Sequence, residues 1–220
     1  MTIRFRAVLF DLDGTLVDSA PDLVGAANRL RAARSLDPLP LAALRPWASH
    51  GARGLIGAAL GVTPADAAYP ALQIEFLDDY ASRLAADSCV FPQMDAVLAH
   101  LESCGIAWGV VTNKAARFAV PLMAALGLGA RAGVLVAGDT LPQSKPHPAP
   151  LLHAAECLGI APGDCVYVGD DERDIVAGRA AGMATIAAAY GYCSEIDPAL
   201  WAPDLIINSP MELITALTRL

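Results

Sequence analysis

The chain has 220 residues, 55% of them hydrophobic, with a formal net charge of -8 and no long run of Lys or Arg. That length supports one substantial core, or a core with a small appended unit, and the hydrophobic content excludes a disordered chain. The acidic balance argues against nucleic acid or an anionic membrane as the main partner, no apolar stretch reaches the length of a membrane span, and the start has no signal-peptide layout.

Ala7-Val8-Leu9-Phe10 is an apolar run of strand length. It leads into Asp11-Leu12-Asp13-Gly14-Thr15, two carboxylates at the carboxyl end of a strand, where open α/β sheets place their ligands. Carboxylates facing one crevice repel unless a cation lies between them. A hard divalent ion is the simplest such cation, and Mg2+ is the usual one where phosphates are handled. For so short a motif an ordinary Asx-type turn is the alternative. Residues 16–86 are helical in character. Ser19-Ala20-Pro21-Asp22 has the form of a capping box with Pro in the first turn, and apolar residues follow at helical spacing through Leu30. Segments 52–60 and 64–86 supply further helices. Because it emerges directly after Asp13, this insertion is expected to form an all-helical cap domain above the carboxylates and to act as a lid.

Beyond residue 86 helices and strands alternate. Strands are expected at 106–111, 133–137, 165–168, 184–189 and 204–207, with helices at 92–103, 117–126, 148–158 and 174–181. Gly105, Gly127, Gly159 and Gly182 stand where helices end. The expected fold class is α/β: a Rossmann-like parallel sheet core flanked by helices, built from residues 1–15 and 87–220, with the cap domain at 16–86 inserted. Cys89, Cys104, Cys157, Cys165 and Cys193 show no paired metal-ligand spacing and read as buried free thiols of a reducing, cytoplasmic protein.

Further strand ends carry groups suited to one reaction. Thr112 offers a hydroxyl beside the Asn113 backbone N–H. Lys145 stands on a stiff segment, Ser144-Lys145-Pro146-His147-Pro148, and Gly169-Asp170-Asp171 leads on to Asp174. Singly, Thr112 is a turn residue, Lys145 a surface lysine, and Asp170 and Asp171 are helix caps. Together, in strand-end order, they assemble a nucleophile, an oxyanion donor, a fixed positive charge and a metal carboxylate.

The four motifs Asp11-x-Asp13-Gly14-Thr15, Thr112-Asn113, Lys145-Pro146 and Gly169-Asp170-x-x-x-Asp174 resemble those of the haloacid dehalogenase superfamily. Within it the chain is similar to the phosphoglycolate phosphatase group. Its segments Trp108–Lys114 and Tyr190-Gly191-Tyr192 also resemble N-acetylmuramic acid 6-phosphate phosphatases. The resemblance implies a Mg2+-dependent phosphomonoesterase acting on a small phosphorylated metabolite. Asp11 would be the nucleophile and Asp13 the proton carrier, with Thr112, Asn113 and Lys145 at the transferring phosphate. Mg2+ would be held by the Asp11 side chain, the Asp13 backbone carbonyl and Asp170, with Asp171 and Asp174 behind them. A leaving alkoxide needs a proton and a halide does not, so Asp13 argues against dehalogenation. A phosphonatase would want a lysine in the cap, and residues 16–86 contain none. A phosphosugar mutase and a non-catalytic phosphate-binding module are the other readings. In the cap, His50 and Arg53, within Ser49-His50-Gly51-Ala52-Arg53-Gly54, are the candidates for substrate binding, Arg53 by pairing with a carboxylate. Both monomer and homodimer are compatible with the alanine-rich cap.

Overall fold

In the computed structural model, which describes residues 4–193 and 196–220, the first apolar run is a central strand of the main sheet. Residues 1–3, part of the stretch read for a leader, lie outside the described residues. In chain order the elements are β1 (Ala7–Phe10), β2 (Val17–Asp18), α1 (Ala20–Ala32), α2 (Leu41–Leu44), α3 (Gly51–Leu60), α4 (Tyr69–Ser82), β3 (Cys89–Val90), α5 (Met94–Ser103), β4 (Ala107–Val111), α6 (Ala116–Ala125), β5 (Leu135–Val136), α7 (Ala149–Leu158), β6 (Cys165–Gly169), α8 (Glu172–Ala180), β7 (Ala184–Ala188), β8 (Leu205–Ile207) and α9 (Glu212–Ala216). A 3-10 segment, Arg45–His50, joins α2 to α3.

Six parallel strands pair in the order β5-β4-β1-β6-β7-β8. All four β1 residues are fully buried, as a strand covered on both faces requires. Their side chains alternate. Val8 and Phe10 join the apolar layer under α5, α6 and α9, and Ala7 and Leu9 join the layer under α7 and α8. Phe10 is in register with Val110 of β4 and Val168 of β6. Asp11, Thr112 and Asp170 therefore leave three adjacent strands at the same end of the sheet. The chain crosses from β1 to β4 on one side and reaches β6 on the other. That makes this edge a switch point, where a crevice opens.

The excursion between β1 and β4 is stitched at its base by an antiparallel pair, Val17 opposite Val90 and Asp18 opposite Cys89. Two-residue strands carry no periodicity, so sequence reading missed them. Above the pair, α1 packs on α3 and α4. The expected helix at 64–86 is confined to Tyr69–Ser82.

Two local expectations are corrected. Ser19 makes no side-chain cap on α1. Its hydroxyl bonds Asp13 instead, and Asp22 accepts from the Asp87 and Ser88 backbone N–H groups and the Ser88 hydroxyl. Tertiary partners thus outcompete the local box. Of the five free cysteines only Cys165 is buried; Cys89, Cys104 and Cys157 are exposed. Among the described residues no helix is long and apolar enough to cross a membrane.

Candidate active site

Asp11 follows β1, with its N–H donating to the Val168 carbonyl at 2.9 Å. Lys145 Nζ stands 2.8 Å from Asp11 Oδ1, as an ion pair rather than an aligned hydrogen bond, so that buried oxygen has no hydrogen-bond donor. Lys145 is 3% exposed. Its ammonium also donates to Asp174 Oδ1 and the Tyr167 hydroxyl, each at 2.8 Å. Tyr167 in turn donates to the Val111 carbonyl at 2.8 Å. Burial works against the ammonium, but the Asp11 and Asp174 charges outweigh it and hold its pKa above the ordinary lysine value. The Asn113 carboxamide clamps the lysine's backbone from both sides, donating to its carbonyl at 2.9 Å and accepting from its N–H at 3.0 Å. The Asn113 side chain is thus occupied in positioning Lys145.

Asp13 lines the same cleft with a different set of partners. Lys114 Nζ lies 3.0 and 3.1 Å from its two oxygens, and the Ser19 hydroxyl donates to it. The sequence assigns Lys114 no role, since nothing local announces a partner 101 positions away. Burial opposes its charge, and Asp13 more than offsets that, so its pKa stands above the usual range. Thr112 is buried and its hydroxyl accepts from the Lys114 N–H at 3.1 Å.

Asp170 is 1% exposed. It accepts from the Thr15 hydroxyl and the Tyr192 N–H, both at 2.8 Å. Gly14, at φ +89°, permits this approach, because a Cβ there would overlap the Asp170 carboxylate. Asp171 caps α8 in a reciprocal box with Asp174, and Arg173 grips Asp171 at 2.8 and 2.9 Å. Carboxylate oxygens of Asp11, Asp170 and Asp174 all lie within 4.8 Å of one another. Burial, then the charges of Asp11 and Asp174, push the Asp170 carboxyl well above its ordinary range. Burial also lifts Asp174 to about 7, with Lys145 pulling it back. Two buried acids and a half-buried one this close offer the oxygen ligands that a hard cation takes. Lys145 Nζ stands 2.8 Å from both Asp11 and Asp174, whereas among the described residues Asp170 makes no ion pair. The Asp13 carboxylate lies outside this acidic group.

The cleft has a volume of about 300 Å³. Its far wall comes from the helical excursion: Ser49, His50, Leu23, Phe76, Leu77 and Tyr80. His50 is therefore placed at the site. Arg53 is exposed on α3 and is not part of the cleft lining. Two arginines not singled out for chemistry, Arg117 and Arg173, do line it.

Residues 5–182 match the family model described as haloacid dehalogenase-like hydrolase. The chain is 46% identical over 213 residues to a protein named phosphoglycolate phosphatase from Xanthomonas campestris pv. campestris, covering 96% of each. It is 44% identical over 218 residues to an N-acetylmuramic acid 6-phosphate phosphatase from Pseudomonas aeruginosa, covering 99% of this chain and 96% of that one. A crystal structure described as a predicted phosphoglycolate phosphatase from Haemophilus somnus 129PT superposes with a TM-score of 0.86 at 30% identity, over 98% of this chain and 99% of the other.

Proposed function

The chain belongs to the haloacid dehalogenase-like hydrolase family, as a phosphatase of that type, and we propose that it hydrolyses a small phosphorylated metabolite through an aspartyl-phosphate on Asp11. The observation that carries this reading is that two neighbouring aspartates in one cleft are each committed to a separate lysine. Lys145 holds Asp11 in place and offsets its charge, as a carboxylate nucleophile needs. Asp13, oriented by Lys114 and Ser19, protonates the leaving alkoxide and later takes a proton from the water that releases phosphate. Thr112 Oγ1, the Asn113 backbone N–H and Lys145 Nζ hold the transferring oxygens. Asp11, Asp170 and the Asp13 carbonyl would hold Mg2+, which when bound offsets the repulsion between the nucleophile and an anionic phosphate. Asp174 and Asp171 support this set from behind, through Lys145 and the start of α8.

Residues 16–86 act as the cap. The two substrates named among its relatives, phosphoglycolate and N-acetylmuramic acid 6-phosphate, each pair a phosphate ester with a carboxylate, and phosphate release from each distinguishes them. Purified protein should release inorganic phosphate from p-nitrophenyl phosphate with Mg2+ and stop with a chelator, and Asp11→Asn should abolish turnover. Full activity in Asp11→Asn would sink the covalent route. An isomerised sugar phosphate without phosphate release would favour mutase chemistry.

A further inference from the structure

Four Lys or Arg side chains line the cleft, and three are committed to acids of the chain itself. Lys145 faces Asp11 and Asp174, Lys114 faces Asp13, and Arg173 faces Asp171. The fourth, Arg117, lies in the first turn of α6, is exposed, and has no acidic partner among the described residues. Its guanidinium carbon is 4.5 Å from the centre of the Phe118 ring.

A second observation points to the same wall. Tyr80 of α4 is 2% exposed and lines the cleft, and its buried hydroxyl has no well-aligned hydrogen bond among the described residues, with the Lys114 ammonium as its polar neighbour. A poorly aligned buried hydroxyl keeps capacity to bond a ligand oxygen. The Tyr80 ring is 5.4 Å from that of Phe118, and Lys114 Nζ is 4.7 Å from the Tyr80 ring centre. Lys114, Tyr80, Phe118 and Arg117 thus form a continuous line of contacts from the proton carrier Asp13 to an uncommitted cation.

We propose that this wall is a subsite for an acid group on the leaving-group side: Arg117 pairs with a carboxylate of the phosphomonoester, and the Tyr80 hydroxyl donates to an oxygen of the same leaving group. A planar guanidinium matches a carboxylate with two parallel hydrogen bonds. One free guanidinium suits one added negative charge; a second phosphate would bring about two, into a chain of net charge -8. Leu23, Phe76 and Leu77 offer apolar cover for the carbon skeleton between the groups. The inference rests on the phosphomonoesterase reading and narrows it to phosphate esters of hydroxy acids, acidic sugars included. It assigns to a core helix the task that the sequence suggested for Arg53.

The test compares matched pairs that differ in the carboxylate. One pair is phosphoglycolate and 2-hydroxyethyl phosphate; the other is N-acetylmuramic acid 6-phosphate and its lactyl carboxamide. Wild-type protein should prefer the acid in at least one pair. Arg117→Met should lower kcat/KM for that acid roughly 10- to 100-fold, mainly through KM, and leave its neutral partner and p-nitrophenyl phosphate within about twofold. Arg117→Lys should restore part of the loss. Tyr80→Phe should lower kcat/KM for the acid substrate more than for its neutral partner, because the hydroxyl it removes is proposed to meet the acid-bearing leaving group. Equal losses on acid and neutral partners in Arg117→Met would overturn the proposal. So would turnover of p-nitrophenyl phosphate by the wild type with no preference for either acid. Absence of Mg2+-dependent turnover on every phosphomonoester would instead overturn the phosphomonoesterase reading, and this inference with it.

Discussion

Lys114 and Lys145 are the only lysines in the chain, and each stands against one of the two aspartates that follow β1. Their sites impose different demands. The Lys145 ammonium has three partners and a clamped backbone, so its position is fixed on all sides. Lys114 touches Asp13 and the face of Tyr80, linking the proposed proton carrier to the helical excursion. Replacing Lys114 with Met should therefore lower kcat more than it raises KM. The loss should be roughly tenfold or more on an alkyl phosphate and smaller on p-nitrophenyl phosphate, whose leaving group departs with little help from a proton. Steady-state kinetics on the two substrates check this; equal losses would show that Lys114 does not act through Asp13. Lys145, Asp11, Asp13 and Asp170 were legible as motif positions. Lys114 was not, since an ion pair between residues so distant in sequence leaves no local pattern.

At the scale of elements, the junction between the helical excursion and the sheet is held by polar contacts rather than by strand length. Val17–Asp18 and Cys89–Val90 supply a single short pair. Tyr192, from the loop after β7, accepts from the Ala20 N–H at 2.8 Å and donates to Asp18 at 2.9 Å. Asp22, 3% exposed, ties α1 to the returning strand through three hydrogen bonds at Asp87 and Ser88. Asp22→Ala leaves the buried Ser88 N–H and hydroxyl and the part-buried Asp87 N–H unpaired. It should cost about 2–4 kcal/mol, read as a lower urea midpoint. A change under about 0.5 kcal/mol would place the strength of the junction elsewhere. The residues Ser19 and Asp22 suggested a capping box because their spacing allows one. The fold uses both for longer-range bonds, which bury better-partnered charge.

For the molecule as a whole, the acidic group at the sheet edge couples stability to pH and to metal. An ordinary Asp titrates near 4. Asp174 is lifted to about 7 by burial, and Asp170 is pushed well above its ordinary range. As pH rises past about 4, the unfolded chain releases these protons while the folded chain keeps them. The unfolded state then binds fewer protons, so metal-free stability should fall between about pH 4 and 7. Mg2+ bound at the proposed site would favour the ionised cluster and reverse that trend. Mg2+ at about 100 times its Kd should raise the melting temperature by roughly 5–10 °C at pH 7 and by less at pH 5. Calorimetry with and without chelator measures this; an equal shift at both pH values would detach the effect from these carboxylates.

The sequence by itself determined the alternation of strands and helices, the helical excursion after β1, and the four motifs, because each is written in local periodicity or in contiguous residues. β1 at Ala7–Phe10 and the helix ends at Gly105, Gly127, Gly159 and Gly182 were read directly from that local pattern. Only the tertiary structure decided the order β5-β4-β1-β6-β7-β8, the division of the two lysines between Asp11 and Asp13, and the choice of Arg117 over Arg53 as the cation facing the cleft. The reason is the same in each case. Which charges share a cleft depends on which strand ends meet, and that is set by sheet pairing and burial, not by spacing along the chain.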